Sequence, residues 1–378
     1  MTQRKIKIYS DRAYLPPNTA HSIVLYPFWG MNPEELEGYA ISYERYAQTG
    51  ANFFEMVSLD EAEYVVAAVS WQKSEAGREL TQQLAQSATP DKPIWIFYLH
   101  DSTDPLPIEN SIVFRTSLNA ADNRKNEYAL PAWRYDWLHH FNDGQLTIRP
   151  KTDTPVVGFC GFVLTDWHRR VSEIKDIGRV IKYSLKDNQQ SASLGARVMN
   201  IGRSIKNGIL QTSNTHKMRS PHHAFRWSIL KRLMRAKRIE TNFILRHQFF
   251  GNAPLAKKPQ YNLEYYENMR DSDYVVCVRG DGNFSYRLYE TLCCGRIPVF
   301  INTDCVLPYD FAVDWKRYCV WVEADEVDQI EAKVLDFHQR LSPEAFVQLQ
   351  QDCRTFWEEY LSPHGYFKQF YRHFVQSD

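Results

Sequence analysis

Residues 271–310 read DSDYVVCVRGDGNFSYRLYETLCCGRIPVFINTDCVLPYD, and the fold is decided there. Tyr274-Val275-Val276-Cys277-Val278 is a β-branched and aromatic run, long enough for a strand and too short for a core helix. It opens into Arg279-Gly280-Asp281-Gly282-Asn283, a loop whose glycines can adopt positive φ. Ser285 is placed to cap a helix over Tyr286–Cys294, which Gly295 closes at the position after the cap. Ile297-Pro298-Val299-Phe300-Ile301 follows as a second buried strand, with its proline at the start, where a missing donor is tolerated. Strand, loop, helix and strand form a βαβ unit of the nucleotide-binding type.

Arg287 and Glu290 are three residues apart and share one face near the start of that helix. Free N–H groups and the helix dipole favour an anion there. An arginine beside them can clamp a diphosphate through parallel hydrogen bonds. A carboxylate one turn later can accept bonds from both ribose hydroxyls. The pair therefore fits a nucleoside-diphosphate ligand. The same spacing also fits an ion pair on a solvated helix face, worth a few tenths of a kcal/mol.

The surrounding residues favour the first reading. Ser285-x-Arg287-Leu288-x-Glu290-x-Leu292-x-x-Gly295-x-Ile297-Pro298-Val299, followed by Val306-Leu307-Pro308-Tyr309 and Asp314-Trp315, resembles the C-terminal signature of the exostosin glycosyltransferases (family 47 type). That resemblance implies an α/β protein of GT-B architecture, with two Rossmann-like domains facing across a cleft. It implies that the C-terminal domain holds a UDP- or GDP-linked sugar, Arg287 meeting the diphosphate and Glu290 the ribose. The activity it implies is inverting, metal-independent transfer to a hydroxyl of a glycan or glycolipid acceptor, in surface polysaccharide or glycoconjugate synthesis.

The chain has 378 residues, enough for two domains with large cores. Lys and Arg number 45 against 45 Asp and Glu, so a globally basic nucleic-acid binder is disfavoured. The seven cysteines form no CxxC pair and read as reduced core thiols rather than disulfides or a zinc site. Animal and plant exostosins are typically membrane-anchored in the Golgi, whereas the N-terminal MTQRKIKIYS has no apolar run. A cytoplasmic enzyme is expected.

Residues 1–150 alternate strands with helices and are expected to form an acceptor-binding, Rossmann-like domain. Strands are expected at 6–9, 22–26, 64–69, 93–99, 111–115 and 127–130, and helices at 32–49 and 75–87. The strand at 64–69 follows Glu61-Ala62-Glu63 as in the exostosin pattern, and the strand at 93–99 delivers His100 and Asp101. A polar lapse between Trp133 and Pro155 marks the domain boundary. Residues 151–345 are expected to bind the donor. Its first strand runs from Pro155 to Phe162 into a glycine loop at Gly161, suited either to a donor phosphate or to simple chain reversal. Arg246, at the end of a strand over 239–245, is a further phosphate candidate. Residues 346–378 supply terminal helices that pack back on the first domain. The stretch 191–238 holds eleven Lys or Arg and no Asp or Glu, leaving the remainder of this neutral chain at minus eleven. It is either a solvated amphipathic helix, a cleft wall that attracts the diphosphate, or a surface that meets an acidic acceptor or, peripherally, anionic lipid.

Asp101, His100 and Arg287 are thus the expected catalytic residues, with Asp101 or His100 as general base and Asp11 as the next candidate. The expected donor contacts are Arg287, Glu290, Ser285, Asn283, Gly282, Gly161 and Arg246. Asp271-Ser272-Asp273 has the DxD form of a metal-diphosphate motif but precedes its strand, at the wrong end for a ligand of a parallel sheet. His139-His140 and His222-His223 lack metal-pair spacing. No GxSxG elbow, Walker loop or GxGxxG occurs, so hydrolase, NTPase and dehydrogenase readings lack support. The competing readings are a fucosyltransferase-type GT-B enzyme, a GT-B enzyme that makes no glycosidic bond, and a carbohydrate-binding relic without activity.

Overall fold

The structure, a computed structural model, describes residues 4–33, 40–71, 74–122, 124–164, 221–370 and 372–373. Its strands are β1 (Ile6–Tyr9), β2 (Phe54–Met56), β3 (Tyr64–Val66), β4 (Ile94–Tyr98), β5 (Ser111–Arg115), β6 (Glu127–Ala129), β7 (Val156–Phe162), β8 (Glu240–Arg246), β9 (Tyr274–Cys277), β10 (Ile297–Asn302) and β11 (Val320–Glu323). The helices that position the site are α1 (Ala40–Thr49), α2 (Glu75–Ala85), α3 (Trp137–Asn142), α4 (Pro221–Arg235), α5 (Lys258–Arg270), α6 (Tyr286–Cys293), α7 (Ile330–Arg340), α8 (Pro343–Phe356) and α9 (Pro363–Phe370).

These strands form two sheets, ordered β2-β1-β3-β4-β5-β6 and β11-β10-β9-β7-β8, with every neighbouring pair parallel. In each sheet the first strand lies between the second and third, the doubly wound order whose ligand crevice opens at the carboxyl ends beside that first strand. The two Rossmann-like domains of a GT-B architecture are therefore present. β9 is buried throughout, as a central parallel strand covered on both faces must be. Pro298 pairs with Val275 of β9, but β11 joins only from Val299 onward, so the missing N–H breaks no ladder on that side.

Each sheet has its own core. Trp95, Phe97 and Phe114 centre the first, and Val275, Val276, Leu292 and Val299 the second. Each such side chain contributes about 1.5–3 kcal/mol on burial. The terminal helix α9 crosses to the N-terminal sheet: Phe367 stacks on Tyr46 with centroids 4.4 Å apart, and Phe370 packs edge-on to Trp95 at 5.1 Å.

Several expected elements differ. Residues 22–26 form a 3-10 turn (Ile23–Leu25) and a short helix (Tyr26–Trp29) instead of a strand. Short apolar runs are ambiguous between strand and helix, and Pro27 presets a helical first turn. β2 was not anticipated, because three residues carry too little periodicity. The expected helix over 32–49 is described from Ala40 onward, and residues 34–39 of it lie outside the described residues, as do residues 191–220 of the basic stretch.

Candidate functional site

A cleft of about 690 Å³ opens between the carboxyl ends of the two sheets, lined by Asp101 on one side and by Gly161, Arg226, Arg246, Ser285, Arg287 and Glu290 on the other. Three separate stretches build the C-terminal wall. β7 ends at Phe162 and β9 at Cys277, side by side at the switch point of the second sheet, and α6 starts just beyond β9.

Arg287 reaches across this switch point. Its Nη2 donates to the carbonyl of Cys160 at 2.8 Å, and its guanidinium lies 4.3 Å from the Phe159 ring centroid and 5.6 Å from that of Tyr265. Its Nε is buried without a hydrogen-bond partner. Burial opposes the charge, but Tyr265, Cys277 and Glu290 outweigh it and raise the guanidinium pKa. A β-carbon on Gly161 would stand 2.7 Å from Arg287 Nη2, so the bare backbone here is what admits the arginine. Glu290 is buried, accepts from the Tyr265 hydroxyl at 2.6 Å through Oε2, and keeps Oε1 without a hydrogen bond, 3.9 Å from Arg134 Nη1. Arg287 and Glu290 are thus not a solvated surface pair. Each holds an unused polar atom inside the wall of a cleft, and buried polar atoms of this kind call for a partner.

Ser285 takes the extended backbone of a helix cap, yet its hydroxyl makes no capping bond, leaving the start of α6 open toward the cleft. Gly282 lines the cleft but has no positive φ, nor has Gly280; that expectation is corrected. Close approach is what Gly282 provides, since a β-carbon there would lie 2.6 Å from Asp101 Oδ1 on the opposite domain. Arg246 also lines the cleft, but Glu264 at 2.9 Å already compensates its charge.

Two expected site residues stand elsewhere. Asn283 is fully buried and knits the domains together. Its backbone N–H donates to Ser117 Oγ at 2.9 Å, and its side-chain amide donates to Asn119 Oδ1 at 2.7 Å and to the carbonyls of Thr303 and Asp304. No atom of that amide is left for a donor, because Thr303 also donates to its oxygen. His100 is not among the residues lining the cleft: its Nδ1 accepts from the Ser102 N–H at 3.0 Å and its ring stacks on Tyr98. Asp101 is thus the member of that pair facing the cleft. Asp11 caps a 3-10 turn by accepting from Ala13 N–H, away from the cleft. Asp273 of the DxD run accepts from Val156 N–H and pairs with Arg149 at 2.7 Å, tying down the far end of the sheet.

Arg226 is the main addition. It sits on α4 within the basic stretch, and its Nη1 and Nη2 donate to Phe162 and Arg279 carbonyls at 3.1 and 2.8 Å, bridging the end of β7 and the loop after β9. Its Nε has no partner. Burial first, then the charge of Arg287, pulls its pKa down to about 10, and both guanidiniums belong to the lining of one cleft. A cleft wall was one reading of the basic stretch, but sequence spacing did not single out Arg226 within it, because Arg226 and Arg287 meet only through the sheet. Of the other expected basic residues, Arg232 pairs with Asp328. All seven cysteines are free, and burial pushes Cys277 and Cys305 up to about 12. Among the described residues no cluster of three or more His, Cys, Asp or Glu could hold a metal, and no helix is long and apolar enough to cross a membrane.

The two sheets and the cleft at their strand ends define a GT-B-type α/β protein whose C-terminal wall presents cations beside an acid. Residues 203–336 match the Exostosin GT47 domain, so this part of the chain is exostosin-like. Relatives include the rice protein "Probable glucuronosyltransferase GUT1" (Oryza sativa subsp. japonica), 39% identical over 67 residues, 18% of this chain and 16% of the rice protein. Exostosin-1 of Drosophila melanogaster is 31% identical over 102 residues, 27% of this chain and 13% of that protein. The chain's matches span a fifth or less of the length of these curated relatives. Among solved structures, a glycosyltransferase from Rickettsia africae ESF-5 superposes over the whole of both chains at 10% identity and a TM-score of 0.37.

Proposed function

We propose that the protein is an inverting glycosyltransferase that takes a nucleoside-diphosphate sugar in the C-terminal half of the cleft and transfers the sugar to a glycan hydroxyl presented by the N-terminal half. The observation that carries this reading is the pair of partly used groups on α6, Arg287 with an Nε that makes no hydrogen bond and Glu290 with an Oε1 that makes none and faces only Arg134 at 3.9 Å, set at the switch point of the sheet. Arg287 and Arg226 supply positive charge where the diphosphate leaves, and the open start of α6 adds N–H donors. Glu290 accepts from the ribose. Asp101 faces them across the cleft as general base. The acceptor oxygen attacks the anomeric carbon as the bond from that carbon to the diphosphate oxygen breaks. The acceptor proton passes to the Asp101 carboxylate, and the diphosphate departs with the bonding pair. With two guanidiniums at the leaving group, this reading requires no metal. The names of relatives, a probable glucuronosyltransferase and a probable xylosyltransferase, make nucleotide-linked glucuronate and xylose the first donors to screen.

Isothermal titration with UDP and GDP tests the reading. Wild-type protein should bind one of them, and Arg287→Ala and Glu290→Ala should each weaken binding at least tenfold. Unchanged binding in both variants would refute it. Release of the nucleoside diphosphate dependent on an added acceptor glycan then separates a transferase from a carbohydrate-binding relic.

A further inference from the structure

We infer that Tyr265 is a positioning residue: by donating its phenol hydrogen to one oxygen of Glu290, it leaves the other as the single acceptor offered to the ribose, so that the cleft reads one ribose hydroxyl rather than both. This rests on the nucleotide reading above and changes its detail, since a carboxylate free at both oxygens would grip the two hydroxyls together.

The Tyr265 hydroxyl is 2.6 Å from Glu290 Oε2, a short charge-assisted bond. Oε1 is buried and makes no hydrogen bond, its nearest cation being Arg134 Nη1 at 3.9 Å. The phenol is held from two sides, by Trp137 with ring centroids 5.3 Å apart and by the Arg287 guanidinium 5.6 Å from its ring. It therefore cannot swing aside without disturbing the arginine at the diphosphate. Burial, and then the charge of Glu290, raises its pKa well above the usual phenol value, so it remains protonated and able to donate at any working pH. The adjacent Tyr266 provides a contrast on the same helix. Its ring is buried against Phe141 at 5.1 Å, and its hydroxyl has no partner and does not reach Glu290. Two neighbouring tyrosines in the run Tyr265-Tyr266-Glu267 thus do different work, and only the structure tells them apart.

The test is calorimetry with UDP, 2′-deoxy-UDP and 3′-deoxy-UDP on wild type, Tyr265→Phe and Tyr266→Phe, with thermal unfolding alongside. Wild type should bind one monodeoxy nucleotide within about twofold of UDP and the other about tenfold more weakly, the scale of one lost hydrogen bond to a charge. Tyr265→Phe should lose the preference between the two deoxy nucleotides, because both oxygens of Glu290 are then free to meet the ribose. Tyr266→Phe should keep the wild-type pattern. Equal losses for both deoxy nucleotides in wild type would overturn the inference. So would a Tyr265→Phe protein that unfolds earlier yet keeps the wild-type preference, since that is a structural role alone. If wild type bound neither UDP nor GDP, the nucleotide reading itself would fall, a result distinct from either of these.

Discussion

The guanidinium of Arg287 occupies space that any side chain at Gly161 would need: a β-carbon there would lie 2.7 Å from its Nη2. Glycine at the end of β7 is thus a condition for the arginine's bond to the Cys160 carbonyl. Because the obstructing atom is the far end of a flexible side chain, Gly161→Ala should fold, with the arginine displaced. The expected outcome is a small stability change, below about 1 kcal/mol, with UDP affinity reduced about tenfold. Denaturant unfolding and calorimetry on the same protein would check both halves. Wild-type affinity would show that Arg287 acts from another position.

Asn283 makes the opposite prediction. It is fully buried and its side-chain amide bonds Asn119 across the junction of the two domains and Thr303 and Asp304 on its own side. Asn283→Ala strands several buried polar groups at once, and each costs about 1–3 kcal/mol when left unsatisfied. Urea unfolding should register a loss of at least about 2 kcal/mol. A protein as stable as wild type would mean that the junction is hydrated.

The contrast between these residues shows what the sequence could reveal. The βαβ unit was legible because its signals are local: a β-branched run, a turn, and a glycine after Cys294 whose φ of +60° the closing cap demands. Arg287 and Glu290 were legible for the same reason, being neighbours on one turn. Asn283 was misread as a donor contact because it lies between two donor-site candidates, and its partners on the other domain, Ser117 and Asn119, are more than 160 positions away. Arg226 and Tyr265 were missed as individual site residues because each reaches the cleft from a helix whose pattern looks merely amphipathic or polar. Local periodicity carries no information on which side chains a parallel sheet brings together.

His364 gives the pH dependence. Burial first, then the nearby charges of Arg45 and Lys368, lowers its pKa to about 4, while its Nδ1 shares a hydrogen with Thr49 Oγ1 at 2.9 Å. In the unfolded chain a histidine titrates near 6.5. The folded state thus binds fewer protons than the unfolded state between about pH 6.5 and pH 4, and stability is lost as pH falls through that window. Other histidines have lowered values too, so the informative quantity is a difference. The unfolding free energy of His364→Gln should fall less steeply than that of wild type between pH 6.5 and pH 4. Parallel curves would show that His364 titrates normally.

Asp101 bears on the chemistry itself. It follows β4 on the N-terminal domain, stands exposed at the cleft, and its Oδ1 lies 2.6 Å from the place a β-carbon on Gly282 would take. It thus looks onto the loop that leads into α6, without touching Arg287 or Glu290 by any hydrogen bond or ion pair between described residues. A general base so placed contributes to transfer and not to holding the nucleotide. Asp101→Asn keeps the shape and removes the proton acceptor. Donor affinity should stay within about twofold of wild type while turnover falls by about two to four powers of ten, the usual worth of a positioned base. Calorimetry and a transfer assay on the same preparation separate the two effects. Retained turnover would move the role of base to another residue of the acceptor side, and a parallel loss of donor binding would place Asp101 in the donor site.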